Sequence, residues 1–440
     1  MGVRFTAKIN RRYKFFALLL IFSLLAVVCL ELWKCQPQSA WQADSEALVW
    51  ARMADAQRNG ILTEGGLLRS YENDTSIEAE TVWKLYAQNA LPDQTNFVYP
   101  RQSGFQGTLD ACLAVIMQAL GIGNESIQNM IWRLNSTALV FTVLLLCWWI
   151  FEEFGWAAAL GAASCLLLSS WMKGTMANAY WVTWTMFLPL VITAFMGRSQ
   201  SVCGHIRKRW YAALFVCILI RFLCGYEFTS TVMLATEVPV LYYFLKADDR
   251  NQKKQWVRIA FLIGVLELAA FAVSLGITAL QIMAWQQQGL ASAFSSILDA
   301  VKYRTGAMVT QDDMQQYSEA ISNSLSASRL SVVKKYLTSS EALWSTWSVR
   351  ELCFFWLTSA VCCKVAGNLS GRKLIRQGLI VAFSMLPALS WYFLASGHAY
   401  IHTVVDYLLW LIPFVPLCVG FMFKNVVDTV QVMVNERKQA

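Results

Sequence analysis

Two acids one residue apart, Asp44 and Glu46 in WQADSEALVWARM (41–53), have the right chemistry to take a proton from a hydroxyl or to hold a metal. A plainer role competes with this one. Asp44 or Ser45 can cap a helix, and Glu46 then suits the helix's first turn through the backbone dipole. In SGHAYIHTVVDYLLW (396–410), His398, His402 and Asp406 fall at i, i+4 and i+8, on one face of a helix. That face could bind a metal, although a structural tetrahedral site needs more ligands. It could equally bind a pyrophosphate as imidazolium or relay protons. Tyr400, Tyr407 and Trp410 run through the same stretch, so an aromatic belt at headgroup level also fits. Arg101 and Gln102 sit in the glycine-containing turn of VYPRQSGFQG (98–107), where an arginine suits an oxyanion and where an exposed turn arginine is the ordinary alternative. In RFLCGYEF (221–228), Arg221 interrupts an apolar run, with Tyr226 and Glu227 at its end. Ionisable groups at membrane depth are usually paired or functional, unless the arginine snorkels to the headgroups.

The elements that must position these residues are membrane helices. Of the 440 residues, 57% are hydrophobic and only 15% charged, far too few charges for a soluble surface. Apolar runs of about 20 residues, the length that crosses a bilayer as a helix, recur along the chain. The pattern predicts an all-α polytopic membrane protein, one transmembrane domain over 1–440. About ten spans are expected, at 15–33, 129–151, 155–171, 180–197, 210–225, 227–246, 257–283, 351–366, 378–396 and 405–424. The first follows a basic start but has no small-residue cleavage site, so it reads as a retained anchor.

Orientation follows the lysines and arginines, which favour the cytoplasmic side. The N-terminus, the links at 198–210, 246–258 and 364–377, and the C-terminal tail are basic, so both termini are expected inside. The acidic FEEFG (151–155) is the one link on that side against the trend. The net charge of +8 is then a lipid-facing inner surface, and nucleic acid is not an expected partner.

Two long segments are expected outside, 34–128 and 284–350, and both carry helical apolar spacing. In the first, an amphipathic juxtamembrane helix is predicted over 44–60, with Trp50, Met53 and Ala54 as its apolar stripe. Another is predicted to start near Thr108. Of twelve cysteines, Cys35 and Cys112 fall in this segment and could form a single bridge, but the count gives no disulfide framework. Asp44, Glu46, Arg101, Glu227, His398, His402 and Asp406 are all expected on the outer side.

This arrangement resembles the GT-C superfamily of integral-membrane, polyprenyl-phosphate-dependent glycosyltransferases, including protein O-mannosyltransferases and lipid A aminoarabinose transferases. The resemblance is carried by a large first outer loop directly after the first span, by a second long outer loop after the seventh, and by Asp44-Ser45-Glu46 in the family's D-x-E form. GYEF and GHAYIHT match no motif of that family. The resemblance implies a transferase that moves a sugar from a polyprenyl-phosphate donor to an envelope glycan, lipid or protein acceptor at the outer face of a bacterial cytoplasmic membrane. It implies that Asp44 is the catalytic base or a metal-binding acid, with a divalent metal in some members, and that Glu46 supports it. On this reading Arg101, Gln102, Arg221, Tyr226, Glu227, His398, His402 and Asp406 line the substrate site. Two other classes compete. A polymerase or ligase of polyprenyl-pyrophosphate glycans would rest on outer arginine and histidine without an acid base. A lipid-linked glycan transporter or flippase would show symmetric halves and midplane sites, which the sequence lacks.

Overall fold

The computed structural model describes residues 43–71, 77–93, 97–99, 105–305, 324, 327–340 and 346–439. The expected span 15–33, Cys35, Arg101 and Gln102 lie outside the described residues.

Helix α1 (Ala43–Asn59) forms where expected. Asp44 and Glu46 sit in its first turn and Arg58 in its last, each matched to the local end of the backbone dipole. Gly60, at φ +98°, stops it in a conformation that other residues resist. Ala43 is already helical, so Asp44 and Ser45 lie within the helix and neither is its cap. The expected stripe is real: Trp50, Met53 and Ala54 are buried, and α1 packs on α3 (Phe105–Ala119). Helix α3 is already formed at Phe105, ahead of the predicted start near Thr108. Short helix α2 (Val82–Ala87) and an antiparallel ribbon, β1 (Leu68–Ser70) on β2 (Phe97–Tyr99), complete the described part of this segment.

Among the described residues, five helices are long and apolar enough to cross a membrane: α4 (Asn124–Phe154), α7 (Trp184–Cys203), α10 (Arg250–Gln286), α14 (Gly371–Leu394) and α17 (Phe414–Gln439). Large apolar side chains stay uncovered on α10, among them Phe261, Leu268 and Leu280, as on a surface that meets lipid. Four more helices occupy expected spans but are shorter or less apolar: α5 (Trp156–Leu167), which continues through α6 (Ser170–Thr175), α8 (Lys208–Leu223), α9 (Thr229–Lys246) and α13 (Val349–Val365). Small residues let α5 and α17 meet closely. A Cβ on Gly420 would lie 2.9 Å from the Ala158 carbonyl, and one on Gly161 would lie 2.9 Å from the Phe423 ring.

The last span differs from the sequence reading. Helix α17 begins at Phe414 rather than at 405, and Tyr407–Leu411 form a short 3-10 turn. Pro413 explains the delay. Its ring disfavours helical backbone at the residue before it, and Ile412 is at φ −121°, ψ 88°. The segment ahead of α17 is irregular yet buried, with Leu408 to Ile412 fully covered. Non-helical backbone at such a depth is tolerated only inside protein.

The acidic link FEEFG finds its partners at the end of the bundle that carries the basic links. Glu153 accepts from the hydroxyls of Tyr242 (2.7 Å) and Tyr243 (2.8 Å), and pairs with Lys246 (2.7 Å) and Arg198 (3.3 Å). Arg198 also reaches Glu152 at 2.5 Å. This network ties α4, α7 and α9 together at their basic ends.

Candidate functional site

At the opposite end, Arg221 organises the backbone. It is buried, not snorkelling. Its guanidinium donates to the carbonyls of Trp181 (3.1 Å) and Glu227 (3.1 Å), and to the Thr185 hydroxyl (3.3 Å). The residue after each of those carbonyls is left-handed: Val182 at φ 43° and Phe228 at φ 64°. Such geometry is rare for a β-branched or bulky residue and costs about 1–3 kcal/mol each. Two strained turns are thus clasped by one arginine. Gly225, at φ +135°, is part of the same device, since a Cβ there would lie 2.5 Å from Glu227 Oε2. The glycine leaves the space that the Glu227 carboxylate fills. Tyr226 turns toward α10, its hydroxyl 2.9 Å from that of Thr278.

Phe228, fixed by this turn, stacks on Trp181 (5.3 Å between ring centres) and meets Trp391 edge-on at 5.2 Å. Trp391 in turn lies 5.4 Å from the His398 ring. His398 is on α15 (Ser396–Ile401), and Asp406 ends α16 (Thr403–Asp406). The two helices are separated by His402 at φ −89°, ψ 41°, so the three residues do not share one continuous helix face as expected. The break nevertheless keeps them together. The two histidine rings are 4.4 Å apart, and His398 Nδ1 is 3.8 Å from Asp406 Oδ2.

Asp406 is fully buried, and among the described residues neither carboxylate oxygen has a hydrogen-bond partner. The same holds for His398 Nδ1 and for the indole N–H groups of Trp181, Trp391 and Trp410. Buried polar atoms are normally satisfied, so a concentration of unmet donors and acceptors at one place points to a ligand or water. Burial holds His402 below the usual histidine range, and His398 adds to this, while Asp406, Glu227 and Asp44 act against it. His402 is therefore a neutral imidazole near pH 7, able to accept a proton.

The D-x-E pair is divided. Residues two apart on a helix point to nearly opposite sides. Asp44 is exposed, within electrostatic reach of His402. Glu46 is buried, its Oε1 accepting from the Ala179 backbone N–H (2.9 Å) and the Trp132 indole (3.0 Å). Glu46 thus pins the first turn of α1 to α4 and to the link before α7. Burial, against those two bonds, still pushes its carboxyl up to about 7. Asp110 on α3 is pushed up to about 8 by burial and by the Glu46 carboxylate. The sequence reading missed Asp110, although a lone acid in the apolar run TLDACLAVI was a visible signal.

Comparison of the chain with protein-family models, with curated proteins and with solved structures finds no match. Among the described residues, no three histidine, cysteine, aspartate or glutamate side chains converge as a metal ion requires. With Asp44 and Glu46 on opposite sides of α1, the described acids do not form a divalent-metal set.

The described candidates therefore gather at one end of the bundle. Asp44, Glu227, His398, His402 and Asp406 share an electrostatic neighbourhood. Arg221 and Glu46 lie beside it and hold backbone or indole groups in place.

Proposed function

We propose that the chain is a membrane glycosyltransferase of the GT-C kind, moving a sugar from a polyprenyl-phosphate donor to a hydroxyl on an envelope glycan, lipid or protein. The observation that carries this reading is the buried Asp406–His398 pair with unmet hydrogen bonds, drawn together with Asp44 and Glu227 from distant parts of the chain. The basic links at the far end favour the cytoplasm, which supports an outer position for this end, and on this reading the membrane is a bacterial cytoplasmic one. A cysteine placed at Asp299 is then labelled by an impermeant thiol reagent on intact cells, and native Cys203, at the basic end, is not.

In this reading the acceptor hydroxyl gives its proton to the exposed Asp44 as its oxygen attacks the anomeric carbon. The bond from that carbon to the donor phosphate breaks, and the polyprenyl phosphate leaves with the electron pair. A positioned base of this kind contributes about 10²–10⁴-fold in rate. Glu46 acts on Asp44 by fixing the first turn of α1. The Asp406 carboxylate orients His398 toward the donor, and Arg101 offers the cation for the departing phosphate. The experiment is transfer in vitro from a polyprenyl-phosphate sugar by the purified chain, read as glycosylated acceptor and released polyprenyl phosphate.

The His398–Asp406 pair also favours a second reading, a polymerase or ligase that uses a polyprenyl-pyrophosphate glycan and needs no acid base. Transfer from a pyrophosphate-linked glycan but not from a monophosphate-linked sugar would select it.

A further inference from the structure

Helix α11 (Leu290–Thr305) starts just after the end of α10, across residues 287–289. Its surface divides into three sectors. Ala293 is fully buried, and Ile297 packs with it against α10. Ser295 and Asp299 face water, with Asp299 paired to Lys302 at 3.3 Å. Between these sectors, Leu290, Phe294, Leu298 and Val301 fall at i, i+4, i+8 and i+11 and stay 39–56% exposed. A helix with separate protein, water and uncovered apolar sectors is built to lie in a membrane interface.

The stripe does not stand alone. Helix α11 packs on α15, where Tyr400 and Ile401 are also uncovered, and the outer end of α14 exposes Phe393 and Leu394 nearby on the same side. Above these rings stand two exposed cations of α12 (Arg329–Thr338). The Arg329 guanidinium lies 5.4 Å from the Phe393 ring centre, and Lys335 Nζ lies 5.5 Å from that of Tyr400. Helix α12 is firmly seated. Tyr336 stacks on Tyr392 at 3.8 Å and donates to the Ala399 carbonyl at 2.6 Å.

We infer that α11, α15, the end of α14 and α12 form a lateral docking face for an anionic lipid of the adjoining leaflet, its tail along the Leu290–Val301 stripe and its phosphate under Arg329 and Lys335. Two arguments commit the face to lipid. The stripe follows α10, on which Leu280 is also uncovered, and the Arg329 and Lys335 cations lie over the exposed Phe393 and Tyr400 rings, where an anionic headgroup would meet them. Tyr400 shares α15 with His398, so a lipid held here lies beside the candidate site. The inference does not depend on the transfer reaction, because a ligase or a transporter could use the same face.

The test uses the full chain in vesicles of equal phosphatidylcholine and phosphatidylglycerol, with a benzophenone amino acid at Leu298 or, as control, at Asp299. Light should attach lipid to position 298 and not to 299. Phosphatidylglycerol should be taken over phosphatidylcholine, and Arg329→Gln and Lys335→Gln should each reduce that preference about fivefold. Added inorganic phosphate should not compete, which separates a lipid from a free anion. Lipid attached equally at both positions, a crosslink to a second chain, or a preference unchanged by both substitutions would overturn the inference.

Discussion

Two buried acids at opposite ends of the helix bundle, Glu153 and Asp406, are treated in opposite ways. At the basic end, both oxygens of Glu153 are engaged by two tyrosine hydroxyls, a lysine and an arginine. At the other end, Asp406 is buried more completely and the ring nitrogen Nδ1 of His398 lies 3.8 Å from its Oδ2. A buried charge must be compensated, and removing its partners is costly. Where the protein supplies every partner, as around Glu153, the group holds helices together. Where partners are left unmet among the described residues, as around Asp406, the group is ready for a further partner, such as a bound substrate.

Breaking the first network should have the larger effect on stability. Glu153→Ala leaves the Tyr242 and Tyr243 hydroxyls without their acceptor, and each such loss costs about 1–3 kcal/mol. A drop of about 3 kcal/mol, read as an earlier thermal transition of the purified chain, is expected. Asp406→Asn should leave that transition nearly in place and reduce transfer. If the two variants lose equal stability, the contrast between the ends is wrong.

The pH dependence sharpens the same contrast. The Glu46 and Asp110 carboxyls are raised, to about 7 and about 8, so the folded chain keeps protons that the unfolded chain releases. Their effect on stability is fully favourable below the ordinary carboxylate range and is lost as pH rises through these values. For Glu46 the loss is at most about 3 kcal/mol. The thermal transition should fall between pH 5 and pH 9, and Asp110→Asn should flatten the fall. A transition that rises over that interval would remove the buried pair from the account.

A smaller effect is expected at Gly225. Gly225→Ala introduces a Cβ 2.5 Å from Glu227 Oε2 at a backbone angle that alanine resists, at a cost of about 1–3 kcal/mol. Transfer should fall more than stability does, because the displaced group belongs to the site. Unchanged transfer would leave Glu227 outside it.

Much of this was legible in the sequence because it is local. Apolar runs located the helices, and Gly60 located the end of α1. The spacing of His398, His402 and Asp406 brought them together even though the helix breaks between them. What was not legible depends on long-range packing. Phe228 meets Trp391 from a distant part of the chain, and Glu46 meets Ala179 only when α1 docks. The D-x-E pair was read as a unit, but helical geometry sends its two acids to different sides. The late start of α17 was hidden because Leu408 to Ile412 are as apolar as a span, and only Pro413 marks the break.

The most direct test of the proposed reaction is turnover per folded molecule of Asp44→Asn, with a polyprenyl-phosphate sugar and an acceptor. Asparagine keeps the shape and suits a helix start nearly as well as aspartate. The substitution therefore removes little beyond the ionisable group. A loss of about 10²–10⁴-fold in rate is expected, with the thermal transition unmoved. Turnover within a few-fold of the unaltered chain would contradict this and leave Asp44 as no more than a charge in the first turn of a helix.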